Sequence, residues 1–199
     1  MAIIGRPSAR CAGDIAKVYV DTWRAAYAGL LPDKVLLGMS YERQAGDWSW
    51  VIRNRAESQP IIVATEIGHG VVGFVSYGRS RAADRPAVGP CAERQGGPRV
   101  GEVFTLYVLP EFQDRGIGRQ LLLAAFTSLR DRGFERALLW VLRANNARFF
   151  YERLGGLRIS ERRERLWGCH VDETAYGWPD IRQTIVRIGS CSASGFGAI

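Results

Sequence analysis

Residues 101–130, GEVFTLYVLPEFQDRGIGRQLLLAAFTSLR, set a strand, a glycine-rich turn and a helix in one run. Val103 to Leu109 is apolar and β-prone, as a strand buried on both faces would be. Pro110 cannot donate a ladder hydrogen bond, so the strand is expected to stop there. Beyond Gln113-Asp114-Arg115-Gly116-Ile117-Gly118, the apolar residues Leu122, Ala125, Phe126 and Leu129 recur at helical spacing. A helix therefore begins near Gly118. Its first amides have no intrahelical partner, and the helix dipole adds partial positive charge at that end. Gly116 and Gly118 lack Cβ, so an anion can approach the backbone closely. Arg115 and Arg119 add full positive charge beside it. A phosphate or pyrophosphate is the expected guest. A P-loop needs Lys-Ser/Thr after its last glycine, but Arg119-Gln120 stands there. A dinucleotide fingerprint needs a third glycine where Leu121 stands.

The 199 residues suit one domain with a substantial core, expected over 1–188, with a small, polar tail at 189–199. The net charge of +7 would suit nucleic acid, a membrane surface or an anionic cofactor. The arginines are scattered rather than blocked, which argues against nucleic acid. No run of roughly 18 apolar residues exists, so no membrane span is expected. Cys11, Cys91, Cys169 and Cys191 form no CxxC pair, and with His69 and His170 they suggest no metal site. Free thiols in a reducing cytoplasm are the expectation.

Taken in order, residues 3–8 read as a short strand. Ile15 to Tyr27 reads as an amphipathic helix with Asp14 as its N-cap, ending near Gly29. Two further helices are expected over Pro32–Leu37 and, capped by Ser40, towards Asn54. Residues 61–65 and 71–77 form a hairpin around Gly68-His69-Gly70. Residues 78–99 read as a long loop. ALLWVL at 137–142 is a buried strand, followed by a short helix stopped by Gly155-Gly156. Residues 157–167 and 171–178 are antiparallel partners turning at 168–170, with Arg162, Arg163 and Arg165 solvated. Residues 184–188 are expected to add a last short strand.

The pattern Gln-x-x-Gly-x-Gly after a strand ending Val-x-Pro closely resembles the acetyl-CoA loop of the GNAT superfamily of N-acetyltransferases. WVLRANNARFFYERLGG resembles the strand and helix that follow that loop in the family. WRAAYAGLLPD and ETAYGWPD resemble segments of a bacterial branch, so the likeness covers about 14–183. It implies an α+β fold: a mixed, mostly antiparallel sheet flanked by helices. It implies acetyl-CoA as cosubstrate and no metal. Gln113, Asp114, Arg115, Gly116, Ile117, Gly118 and Arg119 would hold the pyrophosphate, and Leu106, Tyr107 and Val108 the pantetheine arm. Asn145, or Asn146 in its place, would contact that arm. Tyr151 would sit near the sulfur. A homodimer is common among such proteins.

The implied reaction is acyl transfer from a thioester to an amine, by direct attack in a ternary complex. An amine near pKa 10 is mostly protonated at neutral pH, so a base is needed. Glu102 is the candidate, commonly acting through water in the family. The Val108 amide would stabilise the carbonyl oxygen, and Tyr151 would protonate the departing thiolate. Trp23 and Tyr27 would floor the acceptor site together with Glu102, although their helical stripe also suits a core role. The acceptor is a small-molecule amine or a peptide N-terminus. A non-catalytic acyl-CoA-binding module of the same fold is the alternative.

Overall fold

The computed structural model describes residues 2–81, 99–166 and 168–190. The expected loop therefore falls mostly, and the expected tail almost wholly, outside the described residues. Thirteen principal elements follow one another: β1 (Ile3–Gly5), α1 (Ala12–Ala26), α2 (Asp33–Leu37), α3 (Tyr41–Asn54), β2 (Ile61–Glu66), β3 (Gly70–Arg79), β4 (Val100–Val108), α4 (Ile117–Asp131), β5 (Arg136–Leu142), α5 (Ala147–Arg153), β6 (Leu157–Leu166), β7 (Cys169–Trp178) and α6 (Ile181–Ser190). The strands form one sheet in the order β1-β2-β3-β4-β5-β7-β6. Among the described residues only β4 and β5 run parallel, joined through α4. The architecture is the mixed, mostly antiparallel α+β arrangement expected.

That parallel pair positions everything else. Its ladder runs from Val100–Arg136 to Val103–Leu139 and ends there. On the other side of β4, Tyr77 pairs with Val103 and Ser76 with Thr105, so Phe104 has no partner on β3. An extra residue in one strand bends it and reverses which side chains point where. Glu102 lies beside Leu138 before the bulge, whereas after it Val108 and Leu121 of α4 both crowd the space beside Gly73 and Tyr107 packs edge-on to Tyr19 of α1. β4 therefore leaves β5 at the bulge, and a cleft opens between them.

Helices cover both faces. Ile15, Ala16 and Val18 of α1 are fully buried, as are Leu121, Leu122, Ala125, Phe126 and Leu129 of α4. Ser40 caps α3 by accepting the Arg43 amide at 3.3 Å, as its sequence position predicts. Other boundaries differ from expectation. α1 starts at Ala12 and ends at Ala26, with Cys11 at its N-cap; Asp14 instead accepts the Val71 amide at 3.3 Å, pinning the helix to the hairpin. β1 stops at Gly5. β3 continues through Gly78 and Arg79, which were expected to be loop. Cys169 and His170 belong to β7, leaving Gly168, at φ 81°, to turn the hairpin.

The last element overturns a strand expectation. Residues 184–188 lie in α6, not in a strand. Asp180 Oδ1 accepts the Arg182 and Gln183 amides, capping the helix start. Ile181, Thr184 and Ile188 then bury one helical face, which outweighs the β-branched composition. α6 also runs to Ser190, past the boundary expected at 188. Among the described residues no helix is long and apolar enough to cross a membrane.

Gly78 gives a direct test of the crowded bend. A Cβ there would lie 2.3 Å from the Ser58 carbonyl oxygen and 3.0 Å from the Phe104 ring. G78A is expected to lower stability by about 1–3 kcal/mol, read as a lower denaturant midpoint at unchanged m-value.

Candidate functional site

A cavity of about 990 Å³ occupies the gap between β4 and β5. Of the residues singled out from sequence, it brings together Trp23, Tyr27, Glu102, Leu106, Tyr107, Val108, Gln113, Asp114, Asn145 and Tyr151. Asn146 lines it too. Arg115, Gly116, Ile117, Gly118 and Arg119 are not part of its lining.

The strand supplies backbone groups. The Leu109 amide donates to the Val72 carbonyl at 2.9 Å, so that residue faces β3. Peptide groups alternate along a strand, so those of Leu106 and Val108 turn towards the cleft, beyond the end of the β5 ladder. The Val108 carbonyl accepts from Gln113 Nε2 at 3.0 Å and from Thr22 Oγ1 at 3.5 Å. Gln113 thus ties the glycine loop back to the strand end.

The loop is built to present amides. Asp114 sits at φ 58°, a left-handed conformation that aspartate tolerates better than most residues, and Gly116 at φ 77° forms the N-cap of α4. Left-handed residues alternating with ordinary ones turn successive N–H groups towards one concavity. A Cβ on Gly116 would meet no atom within 4 Å, so the space beside it is open. Ile117 is buried and anchors the helix start in the core. The two loop arginines are engaged within the protein. Arg115 donates to the Glu111 carbonyl at 2.8 Å and stacks over Phe112. Arg119 donates through Nε to the Ile188 carbonyl at 3.1 Å, with its Nη2 on the same oxygen, so it holds the end of α6.

α5 delivers the tyrosine. Its chain reversal uses Gly155 at φ 79° and returns the Gly156 amide to the Tyr151 carbonyl at 2.9 Å. Tyr151 is buried beside Phe150, and burial, followed by the nearby Tyr27, raises its hydroxyl well above the ordinary phenol range. Asn145 Oδ1 accepts the Ala147 amide at 2.9 Å, and its side chain also reaches the Tyr27 hydroxyl. Tyr27 in turn interacts with Tyr107, whose phenol is pushed well up, chiefly by burial. Trp23 and Tyr27 pack ring to ring at 4.9 Å, and Tyr19 joins them at 5.2 Å from Trp23. They are therefore core residues and cavity wall at once. Asn145 is occupied within the protein, whereas the Asn146 side chain lines the cavity with no hydrogen bond among the described residues.

Glu102 is 1% exposed and lies at the cavity floor. Arg81 Nη2 holds its Oε1 at 2.8 Å, and the Arg81 amide holds its Oε2 at 3.3 Å. Sequence reasoning had no place for Arg81. It also missed a wall made by Trp140 of β5, Arg162 of β6 and Glu173 of β7. Arg162 was expected in solvent. Instead it stacks 4.0 Å from the Trp140 ring centre and donates to Glu173 Oε2 at 2.7 Å. Opposed charges at 162 and 173, each four residues out from the Leu166–Cys169 pair that closes the hairpin, were the available signal.

The model of the acetyltransferase (GNAT) family matches residues 19–156. The uncharacterized N-acetyltransferase YuaI of Bacillus subtilis is 31% identical over 168 residues, covering 84% of this chain and 87% of its own. A mycothiol acetyltransferase of Salinispora arenicola is 42% identical over 82 residues. That match covers 40% of this chain and 24% of the relative, so the chain spans about a quarter of it. The crystal structure of a PaiA N-acetyltransferase from Thermoplasma acidophilum in complex with coenzyme A superposes with a TM-score of 0.62 at 19% identity, over 87% of this chain and 98% of that one. It shares the fold.

The buried phenols set an alkaline limit on the fold. Burial, and then the hydrogen bond to Glu152, pushes Tyr176 up to about 12. Such a group contributes stability that is complete below its unfolded value of about 10 and lost as pH rises through the folded value. The denaturation midpoint is expected to fall between about pH 10 and 12, and Y176F to make that decline shallower.

Proposed function

Because the chain belongs to the acetyltransferase (GNAT) family, we propose that it transfers an acetyl group from acetyl-CoA to a primary amine by direct attack within a ternary complex. The observation that carries this reading is the cleft at the β4 bulge. There, strand peptide groups, the end of a glycine loop and a buried tyrosine face one cavity.

The cosubstrate supplies an activated thioester. The open space at Gly116 and the left-handed turns at 114 and 116 fit a diphosphate on the loop amides. Leu106 and the Val108 N–H, lying beyond the end of the β5 ladder, face the pantetheine amides, as a sheet edge does a peptide. The Val108 N–H is the donor for negative charge developing on the carbonyl oxygen. Tyr151, held neutral by burial, donates a proton to the departing sulfur. Glu102 takes the amine proton through water, with Arg81 fixing its orientation. One domain, running through α6, carries these parts, and Cys11 and Cys169, neither of them in a disulfide, suit a reducing cytoplasm.

Free-thiol release from acetyl-CoA with a panel of amines tests the reading. E102Q is expected to lower kcat by about 10²–10⁴-fold while calorimetry still shows acetyl-CoA binding. A second reading, a non-catalytic acyl-CoA-binding module, draws on the engagement of both Glu102 oxygens by Arg81. Cosubstrate binding without turnover on any amine would establish it. G116V places a side chain in the loop's open space and forces a left-handed β-branched residue. It is expected to weaken acetyl-CoA binding about tenfold or more by calorimetry.

A further inference from the structure

The chain carries a net charge of +7, yet among the described residues its cavity is lined by four carboxylates against three guanidinium groups. The excess negative charge lies on the wall where β5, β7 and β6 meet. Leu142 packs with Trp23 and Tyr27, so by the pleat Trp140 shares that face of the sheet. Glu173 pairs with Leu142 in register and with Arg162 across the hairpin. Arg162 is fixed from both sides, on Trp140 and on Glu173 Oε2, with Glu164 at 3.5 Å. One guanidinium therefore balances two carboxylates. Glu173 lines the cavity with only 11% of its side chain exposed; Arg162 is hydrogen-bonded to Oε2, and Oε1 has no hydrogen bond among the described residues. Tyr27 lines the same cavity, and this carboxylate acts on its hydroxyl through space.

Glu102 does not duplicate it. The register sets the Glu102 and Glu173 Cα atoms two strands and four residues apart, roughly 16 Å. The two carboxylates are thus too far apart to hold one and the same amine. Resting on the acyl-transfer reading above, we infer that Glu173 is the acceptor-recognition residue. It receives a second protonated nitrogen, so that the acceptor class is a diamine: one amine is acylated while the other is held by Glu173 Oε1 against Tyr27. Arg162 is the positioning residue that orients the carboxylate and keeps Oε2 from the ligand. A carboxylate-bearing acceptor such as a free amino acid would meet Glu173 and Glu164 and be disfavoured.

The test compares diaminobutane, diaminohexane and diaminooctane with butylamine, hexylamine, octylamine and free amino acids, by thiol release from acetyl-CoA. The expected result is a kcat/KM for the best diamine about tenfold or more above its matched monoamine, carried by KM. E173Q is expected to erase that ratio, and E173D, which keeps the charge on a shorter arm, to move the preference to a longer diamine. Equal use of diamines and monoamines by the wild type, or a ratio unchanged in both variants, would overturn the inference and leave acyl transfer standing. Turnover of no amine, although acetyl-CoA binds by calorimetry, would overturn the function itself and the inference with it.

Discussion

β4 cannot satisfy both neighbours along its whole length. Its pairing with β3 accommodates one extra residue at Phe104, and at that level its pairing with β5 ends. A twisted sheet would ordinarily close such a gap by continuing the ladder. Here the bend is wedged from behind, because Gly78 has no room for a side chain between Ser58 and Phe104, and Arg81 lies over the same Phe104 ring. Peptide groups that lose their ladder must find another partner or face solvent. The Val108 carbonyl finds Gln113 and Thr22, which binds the glycine loop and α1 to the lip of the cleft. The cavity is therefore the direct result of one register shift.

The aromatic cluster on the α1 side has a second effect. Tyr19, Trp23, Tyr27 and Tyr107 close one face of the cleft with large rings, and burial makes their phenols harder to ionise. Neutral hydroxyls can form donor–acceptor chains that charged groups in so dry a place could not. Tyr107 links to Tyr27, Tyr27 to Asn145, and Asn145 to the start of α5, which carries Tyr151. The helix that floors the proposed acceptor site and the helix that carries the proposed acid are thus held in one polar network. A shift of either element would break buried hydrogen bonds, which is costly.

What the sequence made legible was local. The strand–loop–helix run, the Ser40 cap, the β2–β3 hairpin and the β5 strand each depend on neighbours within a few residues, and periodicity or turn chemistry exposes them. The β6–β7 hairpin was legible too, but its charges were read one strand at a time. Arg162 looked solvated because its partners lie on β7 and β5. Counting outward from a Leu166–Cys169 pair would have set Arg162 opposite Glu173 and Arg163 opposite Asp172. Arg81 was hidden differently. Its role comes from pairing β3 with β4 across the segment that joins them, a contact no local pattern encodes. α6 was misread because Ile, Thr and Val suggested a strand, while the capping Asp180 stood just outside the segment considered.

The arginines of the glycine loop bear on how an anion would be held there. Their proximity in sequence suggested direct charge pairing, but both guanidinium groups are engaged with carbonyls, Arg115 with Glu111 and Arg119 with the end of α6. Moving Arg119 onto a phosphate would leave the last turn of α6 without its partner. That helix is also joined to α5 through Arg187 and the Leu154 carbonyl, which Trp178 shares. The proposed diphosphate therefore relies chiefly on fixed backbone dipoles at 114–118, with the arginines contributing long-range field. Fixed amides need no reorganisation when the anion arrives, whereas flexible arginines would lose side-chain entropy and existing hydrogen bonds. The basic surface and the loop then divide the work: net charge raises the encounter rate of an anionic cosubstrate, and the amides select its shape.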